Sequence, residues 1–338
     1  MNNTDFPSLN KFKALERALY PRADAPSPLR DFEAGLNTSF DVIGFSQDYV
    51  EKQILRFDSR AEKTDARVET SGAKIAKVVK DIVWGMIELD ATSVEILDSP
   101  ILQRLHSIRQ NGFTYLVFPT VSHVRLEHSL GVLAVVSKYI DSINRSASQP
   151  RNYAPGLRAA PISEKLAMDL RHAALLHDIG HFPLSHVMEA ILQSEPQNFK
   201  IGGVSILDFE TEVMRALPDV RSELSEKMSV AIILSPRFRM FYSALRRDEW
   251  AYLRVACLVT GLPLDVNQPG YSQLISGAVD CDKVDYLLRD STMSNVPVAI
   301  DKARLFLNSA LVECDMSTLR KLVGKGVLNR KTDYRNPL

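Results

Sequence analysis

After Ser93, apolar residues recur at three- and four-residue intervals through most of the chain, the spacing that places them on one face of an α-helix. The clearest stripe begins at Ser163 and runs through Leu166, Leu170, Ala173, Ala174 and His177 until Gly180 and Pro183 interrupt it. A longer helix is predicted over 126–144, where Val132, Val135 and Tyr139 share a face with His128. Further helices are expected over 93–98, 100–111, 184–193, 204–216, 219–234, 238–260, 270–290 and 301–322. Ahead of them, KVVKDIVWGMIELD (77–90) alternates around Gly85 and is rich in β-branched residues, which predicts a short hairpin. The stretch 145–163 holds three prolines and a glycine and reads as a loop. Residues 1–74, interrupted by Pro21, Pro26 and Pro28 and polar over 60–74, read as an N-terminal appendage, with 75–338 as one domain. The fold class is all-α, a helical bundle with a small β-hairpin near its start.

Composition narrows the functional classes. The 338 residues suffice for a sizeable core, and 41 basic residues balance 41 acidic ones. No global field therefore draws the chain to nucleic acid or to an anionic membrane. Cys257, Cys281 and Cys314 lie far apart without CxxC spacing, which suits a reducing compartment better than a disulfide framework or zinc knuckle. The start lacks the apolar core of a signal peptide and no run is long enough to span a membrane, so a cytoplasmic location is expected.

Five of the seven histidines, His123, His128, His172, His177 and His181, cluster in one stretch, and His186 follows. His177 continues the apolar stripe of its helix, and Asp178 is rotated from it by about 100°, so both can reach one point at the helix end. Alone, a His-Asp dipeptide reads more simply as a cap or salt bridge. His128 changes the odds, because it also points inward from an apolar helix. Two inward imidazoles and a carboxylate form an incomplete set of ligands for a divalent ion, with Mn, Fe, Zn, Co or Ni suited and Mg less so. In VDCDKVDYLLRDS (279–291), Asp282, Tyr286 and Arg289 make a polar stripe opposite Val284, Leu287 and Leu288. Spacing does not single out Asp282, since a solvated, salt-bridged face explains such a stripe equally well.

The order His…His-Asp…Asp, with the stretches SPILQRLHSIRQNG, FPTVSHVRLEHSLGV, LLHDIGHFPLSH and DCDKVDYLLRDS, resembles the HD superfamily of metal-dependent phosphohydrolases. Within it the chain looks most like the dNTP triphosphohydrolase branch, which includes bacterial dGTPases and the animal SAM-and-HD-domain dNTPase. The match runs from about Lys77 to about Asp315. The resemblance implies an HD-domain helical bundle with one divalent metal held by His128, His177, Asp178 and Asp282, and allows a second magnesium arriving with the nucleotide. It implies that Arg125 contacts a substrate phosphate, as a guanidinium fork does well. Gln110 and Asp290 would read the sugar hydroxyl, Lys283 and Tyr286 the phosphates and sugar, and His181 and His186 would stand near the phosphates. Each has a simpler reading as well: Gln110 and Asp290 as helix caps, His181 as the end of a broken helix. A bound metal lowers the pKa of its water from 15.7 to about 7, which makes a nucleophile available at neutral pH.

Three departures from the branch stand out. Where it carries a His-Glu pair after the HFPLSH motif, this chain has Ile201 and Gly202, so Glu189 loses the histidine it would support and acid catalysis must come from His186, His181 or water. Asn111 replaces an apolar residue near the sugar. The chain ends at Leu338, short of the family's usual length, which points to truncation or to a site completed by another subunit; Lys325, Arg330, Lys331 and Arg335 offer charge there. The expected function is hydrolysis of (deoxy)nucleoside triphosphates to nucleoside and triphosphate by a homo-oligomer. The alternatives are a nucleotide monophosphatase or phosphodiesterase on the same site, or a nucleotide-binding, non-catalytic subunit of a larger assembly, an antiviral one included. No GYP motif follows His177, which disfavours the cyclic-dinucleotide type.

Overall fold

The computed structural model of the chain describes residues 7–20, 75–149, 157–201, 204–218, 220, 223–262 and 269–314. These residues form twelve α-helices. In order they are α1 (Pro7–Leu19), α2 (Ala91–Leu97), α3 (Pro100–Gln103), α4 (Arg125–Ser148), α5 (Glu164–Leu176), α6 (His186–Ser194), α7 (Ile206–Ala216), α8 (Leu224–Leu234), α9 (Pro236–Arg246), α10 (Ala251–Val259), α11 (Cys281–Ser294) and α12 (Lys302–Leu307). The expected hairpin is β1 (Ile75–Asp81) against β2 (Gly85–Asp90), antiparallel, with Gly85 at φ +77° in the turn. Two minor antiparallel pairs were not anticipated: β3 (Leu157–Ala159) with β6 (Val312–Cys314), and β4 (Lys200–Ile201) with β5 (Val204–Ser205). No helix among the described residues is long and apolar enough to cross a membrane.

The centre of the bundle is α4, which packs on α5 and α11 while α5 packs in turn on α10. Val132, Leu133, Val135, Val136, Ile140 and Ile143 of α4 are buried, and Leu170, Ala173 and Ala174 of α5 meet the same core. Local chemistry sets the ends of these helices. Ser163 accepts the Leu166 N–H and opens α5. Asp280 accepts the Lys283 N–H and opens α11, which closes at Asn295 with φ +59°. At the C-terminal end of α5, His177 is the capping residue rather than an interior one. Beyond it the chain runs hard against α8. A Cβ on Gly180 would stand 2.2 Å from the Ser225 carbonyl oxygen, so only glycine admits this approach. Ser229 Oγ, which accepts the Gly180 N–H at 2.8 Å, donates to the His177 carbonyl at 2.6 Å.

Several expected boundaries moved. The 238–260 helix is two, because the chain turns at Arg247 (φ +48°) after α9, whose N-terminus is set by Ser235 and Pro236. The helix expected over 100–111 stops at Gln103 and continues as a 3₁₀ turn, Arg104–Ser107. That expected over 301–322 ends at Leu307, and the chain then joins β3 as a strand. Of the stretch 1–74 read as an appendage, residues 7–20 are described, and they are integral to the core. Leu9, Phe12, Leu15 and Leu19 of α1 are buried against α7, α8 and α10, while Glu16 binds Arg239 at 2.6 Å and Tyr252 at 2.9 Å. The helix was missed because prolines just beyond it were taken to speak for the whole segment. Phe12→Ala is expected to cost about 3–5 kcal/mol of stability in urea denaturation, the range for truncating a buried aromatic; a change under about 0.5 kcal/mol would mean that α1 is not part of the cooperative unit.

Candidate metal centre

Three helices bring together His128, His177 and Asp282, a group of the type that could hold a metal ion, with Asp178 beside them. His128 stands one turn into α4, His177 and Asp178 leave the end of α5, and Asp282 sits in the first turn of α11. His128 is fully buried. Its Nε2 lies 2.9 Å from Asp282 Oδ1, 3.3 Å from His177 Nε2 and 3.7 Å from Asp178 Oδ2. His177 Nε2 is 3.5 Å from Asp178 Oδ1 and 3.9 Å from Asp282 Oδ1. Around an ion with bonds of about 2.1 Å, neighbouring donors stand roughly 3.0–3.4 Å apart, and the spacings here, from 2.9 to 3.9 Å, straddle that range. The ring tautomers agree. His177 Nδ1 lies 2.7 Å from the Ala174 carbonyl, which only an N–H can satisfy, so Nε2 faces the cluster with its lone pair.

The electrostatics also call for a cation. Burial alone would push the His128 pKa down, but hydrogen bonds to Asp282 and Asp285 outweigh it and raise it to about 10. Glu226, in the first turn of α8, is pushed up to about 7 by burial and by the neighbouring charges of Glu223, Asp282 and Asp178. Excess negative potential at one spot is thus met by protons, and a divalent ion would replace them. The residues present fit such an ion. Asp178 is the least committed of the four, because its Oδ2 holds Arg125 Nη1 at 2.6 Å and its Oδ1 lies 3.2 Å from His181 Nε2. Burial works against its charge, yet Arg125, His177 and His181 hold its carboxyl well below the usual range.

A second group flanks the first. Arg125 is buried, donates from Nε to Ser185 Oγ at 2.9 Å, and leaves Nη2 without a hydrogen-bond partner among the described residues. His181 Nδ1 is likewise buried and unpaired. Burial and the Arg125 charge lower the His181 pKa to about 4 against the pull of Asp178, so this ring is neutral at pH 7. His186 is exposed, with Nδ1 2.9 Å from Glu189 Oε2 and 3.2 Å from Glu223 Oε2. The Glu189 hydrogen bond raises the His186 pKa above its ordinary value. Glu189 is therefore not stranded without a partner, as expected from Ile201: it binds His186 and accepts the Ser225 N–H at 2.5 Å. Leu184 and Ser185, at φ +65° and +54°, hold the turn that carries Ser185 under Arg125.

The remaining expected contacts divide. Asn111 Nδ2 donates to Asp290 Oδ1 at 2.7 Å, and His123 Nε2 is 3.1 Å from the same oxygen. Gln110 is buried with Oε1 unpaired. These residues form one polar wall, and neither Gln110 nor Asp290 caps a helix. Lys283, by contrast, is tied to Asp280 at 2.5 Å and to the Gly277 carbonyl at 2.9 Å. Tyr286 is half-buried on α11. Ile201 ends β4, whereas Gly202, Lys325, Arg330, Lys331 and Arg335 lie outside the described residues.

Residues 125–287, the span that contains all four of these side chains, match the HD domain family. The chain carries an HD domain. It is 28% identical over 236 residues to an HD domain-containing protein of Acanthamoeba polyphaga mimivirus, covering 68% of this chain and 46% of that protein. It is 28% identical over 265 residues to the deoxynucleoside triphosphate triphosphohydrolase SAMHD1 homolog of Dictyostelium discoideum, covering 78% of this chain and 45% of that protein. Against human SAMHD1 the identity is 35% over 150 residues, 44% of this chain and 21% of that protein. The chain spans less than half the length of these curated relatives.

Within the HD domain, Asp285 was missed. Arg289 was placed with Asp282 on a solvated stripe, but it is buried, 1% exposed, and binds Asp285 and Asp81. The signal was available, since Asp285 and Arg289 have i, i+4 spacing. With Asp282 charged and His128 protonated up to about pH 10, a cation entering at pH 8 must displace the His128 proton. Titration calorimetry in buffers of different ionisation heat should show release of about one proton per ion, and affinity should rise with pH until about 10. Proton release near zero at pH 8 would mean that His128 is not a ligand.

Proposed function

We propose that this HD domain is a metal-dependent phosphohydrolase that cleaves nucleoside triphosphates to nucleoside and triphosphate, with His128, His177, Asp178 and Asp282 as the metal ligands. The observation that carries this is the juxtaposition of the four-residue cluster with an unpaired, buried donor beside it, Arg125 Nη2. A donor of this kind, left unsatisfied in a dry site, is costly unless an anion completes it, and a phosphate does. The likeness to triphosphohydrolases named for dNTPs supports the nucleotide as the carrier of that phosphate. The imidazole and carboxylate donors suit Mn, Fe, Zn, Co or Ni.

A divalent ion held by these residues supplies Lewis acidity at phosphorus and an acidified water as nucleophile. Arg125 binds and orients the phosphate and offsets the charge that grows on its equatorial oxygens, while neutral His181 offers its Nδ1 lone pair to a water or hydroxyl beside it. As water adds to phosphorus, the bond from phosphorus to the nucleoside oxygen breaks. His186, held protonated by Glu189, gives its proton to that oxygen, which is the role left open by Ile201. Gln110, Asn111 and Asp290 form the wall for the sugar, and Lys283 and Tyr286 lie on the same helix as Asp290.

A panel of nucleotides with Mn, Fe, Mg and Zn, read by product analysis, tests the reaction. Tripolyphosphate released from nucleoside triphosphates is expected, and its loss in His177→Ala; orthophosphate from monophosphates would instead assign a phosphatase. The His186 pKa is raised in the fold by its hydrogen bond to Glu189, so its protonated form persists to higher pH than a free imidazole's and is lost as pH rises further. Activity should therefore fall on the alkaline side, and Glu189→Gln should move that fall to lower pH. An unmoved alkaline limb would remove His186 from the acid role.

A further inference from the structure

Asp285 is fully buried behind His128, and each of its oxygens takes two donors. Oδ2 lies 2.8 Å from His128 Nδ1 and accepts Arg289 Nε at 2.9 Å. Oδ1 accepts Trp84 Nε1 at 2.5 Å and Arg289 Nη2 at 3.0 Å. Arg289 Nη1 goes on to Asp81 Oδ2 at 2.9 Å, and Asp81 Oδ1 accepts the Val83 and Trp84 N–H groups at 2.8 Å each, closing the turn of the β1–β2 hairpin. Helix α4 runs so close that a Cβ on Gly131 would stand 1.8 Å from Asp285 Oδ1. Asp285 and Arg289 are at most 1% exposed and Trp84 is 8% exposed.

We propose that Asp285, clamped by Trp84 of the hairpin turn and by Arg289, is a positioning residue that fixes His128 as the Nδ1–H tautomer and aims Nε2 at the metal. The proposal rests on the metal-centre reading above and adds the hairpin to it. A carboxylate already accepting three N–H groups offers only a lone pair to its fourth neighbour, so His128 Nδ1 must carry the hydrogen. The ring then has one nitrogen left for an ion, and its plane is set by a partner that cannot rotate. The same buried Asp285–Arg289 pair would exist for stability alone if the metal were elsewhere. The two roles differ in what the fold's loss of one donor does to metal affinity.

Zinc affinity by competition with a chromophoric chelator, together with long-range ¹H–¹⁵N spectra of the histidine-labelled, zinc-loaded full chain, separates them. In the wild type, His128 should show a protonated Nδ1 and a zinc-bound Nε2. Asp285→Asn should lower zinc affinity about 10–100-fold, the usual effect of losing such an outer partner, and disturb the His128 signals while leaving those of His177 in place. Trp84→Phe, which keeps the ring and removes one donor, should lower affinity by a smaller factor and keeps the test open if Asp285→Asn does not fold. Unchanged zinc affinity and unchanged His128 signals in a folded Asp285→Asn or Trp84→Phe chain would overturn the proposal, leaving a structural ion pair. Failure of the wild type to bind zinc, or His128→Ala binding it equally well, would instead overturn the metal-centre reading, and the proposal with it.

Discussion

Two imidazole nitrogens, Nε2 of His128 and Nε2 of His177, face each other at 3.3 Å in the interior of a helical bundle. Each ring has its other nitrogen engaged, one by the Ala174 carbonyl and one by Asp285. Two lone pairs cannot be held at that distance in a dry site, with Asp282 and Asp178 beside them, unless positive charge lies between. A proton on His128 meets the demand in the free protein, and a divalent ion would meet it too. The ends of three helices are built around that demand.

The packing shows how the demand is enforced. Glycine at 131 lets α4 lie against Asp285 and Arg289, and glycine at 180 lets the end of the α5 turn lie against the start of α8. With both close approaches made, α4, α5, α8 and α11 have little freedom to slide, and the donors cannot separate to relieve their repulsion. Ser229 links the His177 carbonyl to the Gly180 N–H, so the backbone leaving α5 is satisfied without water. The small hairpin, peripheral in outline, reaches the centre through Trp84.

Beside the cluster, the groups divide by protonation. His181 is held neutral by burial and by Arg125, whereas His186 is held toward its protonated form by Glu189. Two histidines five residues apart are thus shifted in opposite directions from the ordinary imidazole value. Asn111 is committed to Asp290 and so makes its surroundings more polar than an apolar residue would.

From its residue pattern alone the chain could be read as all-α with one hairpin, because a 3.6-residue period and a β-branched alternation are local properties that each helix and strand carries in itself. The inward placement of His128 and His177 was legible for the same reason: each lies on an apolar stripe. Asp282 was not, since a carboxylate on a polar stripe looks the same whether it faces water or an ion, and the resemblance to the HD superfamily had to supply it. The bond between Trp84 and Asp285 was hidden more deeply, its partners being 201 residues apart. The core role of α1 was hidden likewise, because its partners α7, α8 and α10 lie some 200 residues away. Tertiary structure alone decided these, since burial and shared donors are properties of which surfaces meet, and no local period encodes a meeting between segments so far apart in the chain.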